Sequence, residues 1–291
     1  MEFIETLING LSMGGTYAMI ALGYTMVYGI AKMLNFAHGD IIMVGGYTIF
    51  VIMSLSGSPV LGLVAAIIFC VLLGITIEKI AYKPLRGASP LAVLITAIGI
   101  SYLLQSTAQM IFGSAPKMVM IGENMGNVAI GDLKVPVYTV ITLISSVLIM
   151  VILSLFVKYS KTGRAMVAVS EDKGAAQLMG INVNGIITIT FAIGSALAAF
   201  AGFFMLMKSP ALSNTLGAMP GIKAFTAAVI GGIGSIPGAM LGGILMGVVE
   251  AISFKIPAIA PYTDAIEFLI LIVILLVRPS GILGKKRREK V

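Results

Sequence analysis

The sequence predicts an all-α polytopic membrane protein with about seven full transmembrane helices and one glycine-rich broken hairpin. Three observations support this class. Of the 291 residues, 58% are hydrophobic and only 11% are charged, whereas soluble domains carry about 25% charged residues. The mean hydropathy is +1.06. The charges also lie between charge-free stretches that are mostly long enough for the roughly 20 residues of a membrane helix.

Charge-free stretches place the predicted helices along the chain. The stretch 41–77 is too long for one span, and Ser56-Gly57-Ser58-Pro59 divides it because Gly and Pro oppose helix continuation. A signal peptide is not expected, since Glu2 and Glu5 stand where basic residues would be. The predicted helices are 6–30, 40–55, 60–77, 90–112, 136–157, 186–207 and 262–277.

Lys and Arg residues predict the orientation, because they are enriched in cytoplasmic loops. With the N-terminus in the periplasm, fourteen of the nineteen Lys and Arg residues fall in the cytoplasm, including those of a basic tail at 278–291. The five that fall in outer loops are Lys117, Lys134, Lys208, Lys223 and Lys255. The net charge of +7 therefore indicates membrane orientation and contact with anionic lipid, not nucleic-acid binding. We interpret 1–291 as a single transmembrane domain with a cytoplasmic C-terminus.

The region 224–252 is predicted to enter and leave the membrane on one face. Residue 208 is predicted outside and residue 278 inside, and the last helix supplies the one crossing between them. Two short helices meeting at a Gly/Pro turn form a broken hairpin, a feature that often lines transport routes. The alternative interpretation is that the glycines allow close packing of neighbouring helices, and the two interpretations are compatible. The turn residues are Gly231, Gly232, Gly234, Pro237 and Gly238.

Two polar segments are candidates for function. In the segment 35–40, Asp40 is predicted to cap the second helix; the segment is either an interfacial turn or part of a substrate pathway. In the loop 158–185, Ser170 is predicted to cap a short helix that Gly180 ends. That helix either docks into another protein or lies on the membrane surface.

The remaining polar groups exclude several chemistries. The sequence has one His and one Cys, too few for a metal site built from these residues. Because no other metal ligands accompany His38, no metal site is expected. No phosphate-binding loop or catalytic motif is present, so the chain itself is not expected to be an enzyme or to bind ATP. Glu250, Asp264 and Glu267 lie near membrane depth, where ionisable residues are functional candidates, and Glu267 needs a partner or a wet cavity.

Several segments together resemble the permease subunit of bacterial branched-chain amino-acid ABC importers, the leucine/isoleucine/valine type. They extend over nearly the whole chain, and only jointly are they specific. The matching segments are Asn35–Asp40 with Met43–Tyr47, Pro84–Arg86 with Ser89–Leu91 and Ile98–Ser101, Gly163–Ile181, Gly221–Phe225 with Gly231–Gly243, and Arg278–Gly281.

The resemblance implies partners and a mechanism. In such importers two related permeases span the inner membrane, two cytoplasmic subunits bind ATP and magnesium, and a periplasmic protein delivers the substrate. The permeases translocate it by alternating access, driven by the ATPase subunits. No cofactor is expected on this chain. In this family the cytoplasmic loop that binds the ATPase carries a Glu-Ala-Ala…Gly pattern. Glu171 matches its acid, Ala175 and Ala176 its small residues and Gly180 its glycine, and Asp172 follows the acid. Asp172-Lys173-Gly174 separates the acid from the alanines, a departure from the commonest form that leaves the contacts of Glu171 open.

The substrate is not encoded by any clear pattern. Asn35, His38, Ser101 and Gln105 are the predicted pathway residues. Related systems import urea, short amides or other amino acids, and these stay open as alternatives. A secondary carrier or channel, which needs no docking helix, and a membrane scaffold without transport are the two other classes.

Overall fold

The chain is described here from a computed structural model that covers residues 2–122, 125–130 and 133–284. Helices dominate, and the predicted spans agree with them to within four residues at each end. The helices are α1 Glu2–Ala31, α2 His38–Ser56, α3 Pro59–Ile77, α4 Pro90–Phe112, α5 Val137–Tyr159, α6 Lys161–Glu171, α7 Lys173–Leu178, α8 Val183–Lys208, α9 Ala218–Gly231, α10 Ile236–Lys255 and α11 Thr263–Val277.

Four short strands occur in the loops after α4 and α8. β1 (Lys117–Met118) pairs antiparallel with β4 (Ala211–Leu212). β2 (Asn127–Ile130) and β3 (Leu133–Pro136) form an antiparallel hairpin just before α5. These strands are not predicted from the sequence. They pair backbone groups of the loops and leave the fold class helical.

Seven helices of the described chain are long and apolar enough to cross a membrane: α2, α3, α4, α5, α8, α10 and α11. The sequence also predicts seven spans, but it counts α1 among them and treats α10 as half of a hairpin. α1 has 30 residues, but its middle is enclosed by protein, and the residues 18–22 have no exposed surface. A helix enclosed in this way needs no continuous apolar surface toward lipid.

The core lies around α1, which packs against α10 on one side and α8 on another, with α9 also against α1 and α2 against α8. Gly247 of α10 lies so close to Gly14 of α1 that an added Cβ would clash with the Gly14 backbone nitrogen. The outer helices instead expose apolar side chains such as Leu72, Ile95 and Ile144. Close packing through small residues inside and apolar side chains outside is the distribution expected in lipid.

The region 224–252 is an antiparallel helical hairpin. Lys223 near the start of α9 lies 3.2 Å from Glu250 near the end of α10, and Gly231 contacts Gly238 at the other end. Gly232 in the turn has φ +106, which favours glycine. The expected pair of short helices is wrong in one respect, because α10 has 20 residues and only α9, with 14, is short. Small-residue packing and the hairpin are present together.

The helices bring two groups of loops to opposite ends of the molecule, an inner end and an outer end. The inner end holds Ala31, α6, α7 and the turn 232–235, and the sequence predicts that it faces the cytoplasm. The outer end holds the strands, Lys208 and the end of α10. Gly10 packs beside Ala251, and Gly29 beside Gly234, so that α1 and α10 run antiparallel between the two ends.

Candidate functional site

The inner end carries two helices where the sequence predicted one. α6 and α7 meet at Asp172, whose carboxylate accepts a hydrogen bond from the Ala175 N–H at 3.0 Å and caps α7. The predicted cap was wrong, because Ser170 lies inside α6 and its hydroxyl donates to the Val167 carbonyl. Glu171 is the last residue of α6.

α7 presents an exposed apolar tip. Leu178 is 91% exposed and Met179 is 82% exposed, whereas Ala176 is buried. Gly180, with φ +81, follows them, and its N–H donates to the Gln177 carbonyl. The predicted role of Gly180 in ending the helix is therefore confirmed. An apolar pair at the tip of a polar segment is typical of a docking surface.

α7 is fastened to the end of α1. The Lys173 ammonium group donates a 2.7 Å hydrogen bond to the Ala31 carbonyl, an acceptor that the helix itself leaves unpaired. Burial and the nearby Arg86 guanidinium lower the pKa of Lys173 below its usual range. A displacement of α7 would therefore act directly on the inner end of α1.

Arg86 belongs to a second connection at the inner end. Its guanidinium donates to the Glu78 carboxylate and to the Asn184 side chain. Glu78 is fully buried and also accepts from the Thr188 hydroxyl at 2.7 Å. This network ties the end of α3 to the start of α8, and the sequence analysis did not identify it because its members are distant along the chain.

The predicted pathway residues form two separate groups at the start of α2. Asn35 accepts a 2.8 Å hydrogen bond from the Tyr82 hydroxyl, and His38 packs edge-on against Tyr24 at 4.8 Å between ring centroids. Both line a cavity of about 10 Å³, which is the space of about one water molecule. No amino acid fits there in this conformation.

Ser101 and Gln105 lie on α4 and face Asp40. The Gln105 amide donates to Asp40 at 2.8 Å and to Ser101 at 3.2 Å. Asp40 is buried and lies inside the first turn of α2, so its predicted role as the helix cap is wrong. The part of all four predicted residues in a substrate pathway stays a prediction.

The outer end holds an ionic cluster on three helices, in which Lys223, Glu250 and Glu267 are buried and Asp264 is half exposed. The Lys223 ammonium group of α9 lies 3.2 Å from Glu250, 2.8 Å from Asp264 and 3.2 Å from Glu267. The expectation that Glu267 needs a partner is confirmed, and the partner is a lysine that the sequence analysis placed in an outer loop. Glu267 has no exposed side-chain surface, and neither of its oxygens has hydrogen-bonding geometry to any described group.

The glycine-rich turn is closed by the segment after α11. The Ile282 and Leu283 N–H groups donate to the Ile230 and Gly231 carbonyls at 2.8 and 2.9 Å. Ser235 caps α10 by accepting from the Gly238 N–H, and Pro237 lies in its first turn. Gly234 also belongs to the turn. The basic residues of the predicted tail from Lys285 onward lie outside the described residues.

This arrangement defines a multi-pass integral membrane protein with an exposed apolar helix tip at one end and a buried polar cluster at the other. Residues 6–275 match the sequence profile of the family described as "Branched-chain amino acid transport system / permease component". The chain belongs to this family. The resemblance inferred from the sequence is confirmed, and the family is one of transport permeases rather than enzymes.

Relatives match over the full length of the chain. It is 44% identical to the high-affinity branched-chain amino acid transport system permease protein BraD of Pseudomonas aeruginosa, over 100% of this chain and 98% of the relative. It is 41% identical to the corresponding LivH of Escherichia coli K12, with the same coverage. The solved structure of PsaBC from Streptococcus pneumoniae in complex with Fab has a TM-score of 0.45 and 17% identity, covering 96% of this chain and 91% of that one.

Proposed function

We propose that this chain is the membrane-spanning permease of an ABC importer that carries branched-chain amino acids across the bacterial inner membrane. Its partners are a second, related permease, two cytoplasmic ATPase subunits that bind ATP and magnesium, and a periplasmic substrate-binding protein. The names of the full-length relatives support this substrate class over urea or short amides.

One observation carries the coupling part of the proposal. The exposed apolar tip of α7, at Leu178 and Met179, is joined to α1 through the hydrogen bond of Lys173 to Ala31. A secondary carrier or channel has no use for such an element. An ATPase that binds α7 more tightly in one permease conformation than in the other shifts the equilibrium toward that conformation.

Uptake into proteoliposomes tests the proposal. The chain is purified with its ATPases and second permease, reconstituted, and supplied with the binding protein and labelled leucine. We expect uptake that requires ATP and stops with a non-hydrolysable analogue. Uptake at the same rate without ATP would identify a secondary carrier or channel instead, and ATP-dependent uptake of urea or a short amide but not of leucine would favour the alternative substrates.

A further inference from the structure

The proposed function gives no role to a cavity at the outer end. This outer cavity lies between α1, α5, α8 and α10 and has a volume of about 190 Å³, far above the roughly 10–15 Å³ needed for one water molecule. It shares Ser12, Met13, Tyr138 and Lys208 with a wider vestibule of about 380 Å³ that extends toward Lys255. The cavity therefore lies behind an opening on the predicted periplasmic side.

Glu250 lines the outer cavity with an unsatisfied oxygen. Its side chain is 7% exposed, and Oε1 lies 3.2 Å from the Lys223 ammonium group. Oε2 is buried, and no described group meets hydrogen-bonding geometry to it, although the Tyr17 hydroxyl, which lines the same cavity, interacts with this carboxylate. A buried carboxylate oxygen without a donor is unfavourable, because it loses its water and gains nothing in exchange. A ligand in the cavity that donates a hydrogen bond would remove this cost.

The charges indicate which ligand fits. The cluster of Lys223 with Glu250, Asp264 and Glu267 holds three carboxylates and one ammonium group. The described residues contain no group of ligands suited to a metal ion. An organic ammonium group carries one positive charge and three donors, which suits a carboxylate oxygen that lacks a donor.

The rest of the lining suits the other parts of an amino acid. Lys208 lines the same cavity and supplies a cation for a carboxylate. Thr16 adds a hydroxyl, and Met13 and Phe204 supply apolar surface for an aliphatic side chain. An acid, a base and an apolar wall around one small cavity match a zwitterion with a hydrocarbon side chain.

We propose that the outer cavity binds the transported amino acid, with Glu250 holding its ammonium group, Lys208 its carboxylate, and Met13 and Phe204 contacting its side chain. This inference rests on the proposed function and adds the location of a substrate site. It places recognition of the zwitterion within the permease as well as in the binding protein.

Thiol labelling tests occupancy in the reconstituted complex. The described chain has one cysteine, Cys70, which is buried, so Met13→Cys provides the accessible thiol. We expect millimolar leucine to slow the labelling of this thiol by about 10-fold, whereas 4-methylpentanoate, which lacks the ammonium group, and 3-methylbutylamine, which lacks the carboxylate, leave the rate unchanged. Equal labelling with and without leucine would overturn the inference. Equal protection by all three compounds would show an apolar pocket and would overturn it as well.

Substitution of Glu250 provides the second test. Glu250→Gln keeps the shape and removes the charge, so we expect the maximal rate of leucine uptake to fall about 10- to 100-fold and the protection of Met13→Cys by leucine to disappear. Glu250→Asp should restore part of both. The matched control Lys134→Gln removes an exposed charge at the outer end, outside the cavity, and should leave both readouts unchanged.

The outcomes separate the two proposals. A wild-type complex that takes up no amino acid would overturn both the proposed function and this inference. A wild-type complex that takes up leucine, together with a correctly inserted Glu250→Gln variant of unchanged uptake and unchanged protection, would overturn the substrate site alone.

Discussion

The inner and outer ends of the molecule depart from the usual distribution of residues in opposite ways. At the inner end, Leu178 and Met179 are apolar and exposed beyond the predicted membrane spans. At the outer end, Lys223, Glu250 and Glu267 are charged and buried between helices. Exposed apolar surface is stabilised by a protein partner, whereas a buried charge is stabilised by a counter-ion or a ligand. The comparison therefore assigns different kinds of partner to the two ends.

The polar residues at and beside the start of α2 show that burial of a polar side chain does not by itself indicate a ligand site. Asn35 and Gln105 are hydrogen-bonded within the protein, and the cavity beside Asn35 has a volume of about 10 Å³. His38 Nε2 lines that same small cavity and is likewise buried without a group in hydrogen-bonding geometry among the described residues. Glu250 Oε2 has no such group either, but Glu250 lines a cavity of about 190 Å³. The open space beside the buried polar group, rather than its polarity or its lack of a partner, therefore distinguishes the outer cavity.

The largest effect is expected from changes that block the inner end. Gly180→Trp places a bulky side chain beside the tip of α7 at φ +81, where a side chain is also strained by about 1–2 kcal/mol. Glu171→Lys reverses a charge at the end of α6. We expect both variants to insert normally but to lose leucine uptake and substrate-stimulated ATP hydrolysis in proteoliposomes.

Gly87→Trp is the matched control for this prediction. Gly87 is an exposed glycine at the inner end with ordinary backbone conformation and open space around it. It should keep uptake near the wild-type rate. Retained uptake in Gly180→Trp or Glu171→Lys would contradict the assignment of α6 and α7 as the coupling element.

The next largest effect is expected at the outer end, on stability. Lys223→Met removes the one ammonium group that contacts Glu250, Asp264 and Glu267, and breaking a buried ion pair in this way costs about 3–5 kcal/mol. We expect a clear fall in the thermal unfolding temperature of the purified complex. Lys134→Met, at an exposed outer lysine, is the control, and equal unfolding temperatures for the two variants would show that the cluster does not stabilise the fold.

A smaller effect is expected from one charge at the tip of α7. Leu178→Asp places a carboxylate where an apolar contact with the ATPase is proposed, so the affinity between permease and ATPase should fall by about 10-fold or more. Co-purification at increasing salt and a binding titration measure this. Met118→Asp, at an exposed apolar position in β1 of the outer end and outside the membrane spans, should leave ATPase binding intact, and an equal loss in both variants would indicate a general folding defect instead.

The smallest effect separates two ways of capping α7. Asp172→Ala removes the observed cap and should cost about 0.5–2 kcal/mol in local stability, with a partial loss of uptake. Ser170→Ala removes the residue that the sequence favoured as the cap and should change little. Hydrogen exchange in 173–178 measures the difference, and faster exchange in Ser170→Ala than in Asp172→Ala would reverse the assignment.

Local features of the fold were predictable from the sequence. Ser89-Pro90 and Gly113 bound α4, and the predicted range 90–112 is the observed one, because a capping serine, a proline in the first turn and a terminal glycine act within a few residues. The glycine-rich turn of the hairpin was found for the same reason. The length of α10 was not, since its end depends on packing against α1 and α11.

Long-range features were not predictable. Lys223, Glu250 and Glu267 come from α9, α10 and α11, and only the folded chain shows that they share one cluster. The acids were noticed as charges near membrane depth, but charge counting placed Lys223 in a loop. The cap of α7 was assigned to Ser170 because Ser and Asp are comparable caps in sequence, and only the backbone conformation at Asp172 decides between them.

Photo-cross-linking from position 178 tests the central claim, that the tip of α7 is the surface on which an ATPase acts. A photoreactive residue is introduced at Leu178 in the reconstituted complex and, as a control, at Tyr102. We expect an adduct between the chain and the ATPase subunit from position 178, with a yield that changes when ATP is bound, and no such adduct from position 102. An absence of ATPase adducts from position 178 in a complex that transports leucine would contradict it.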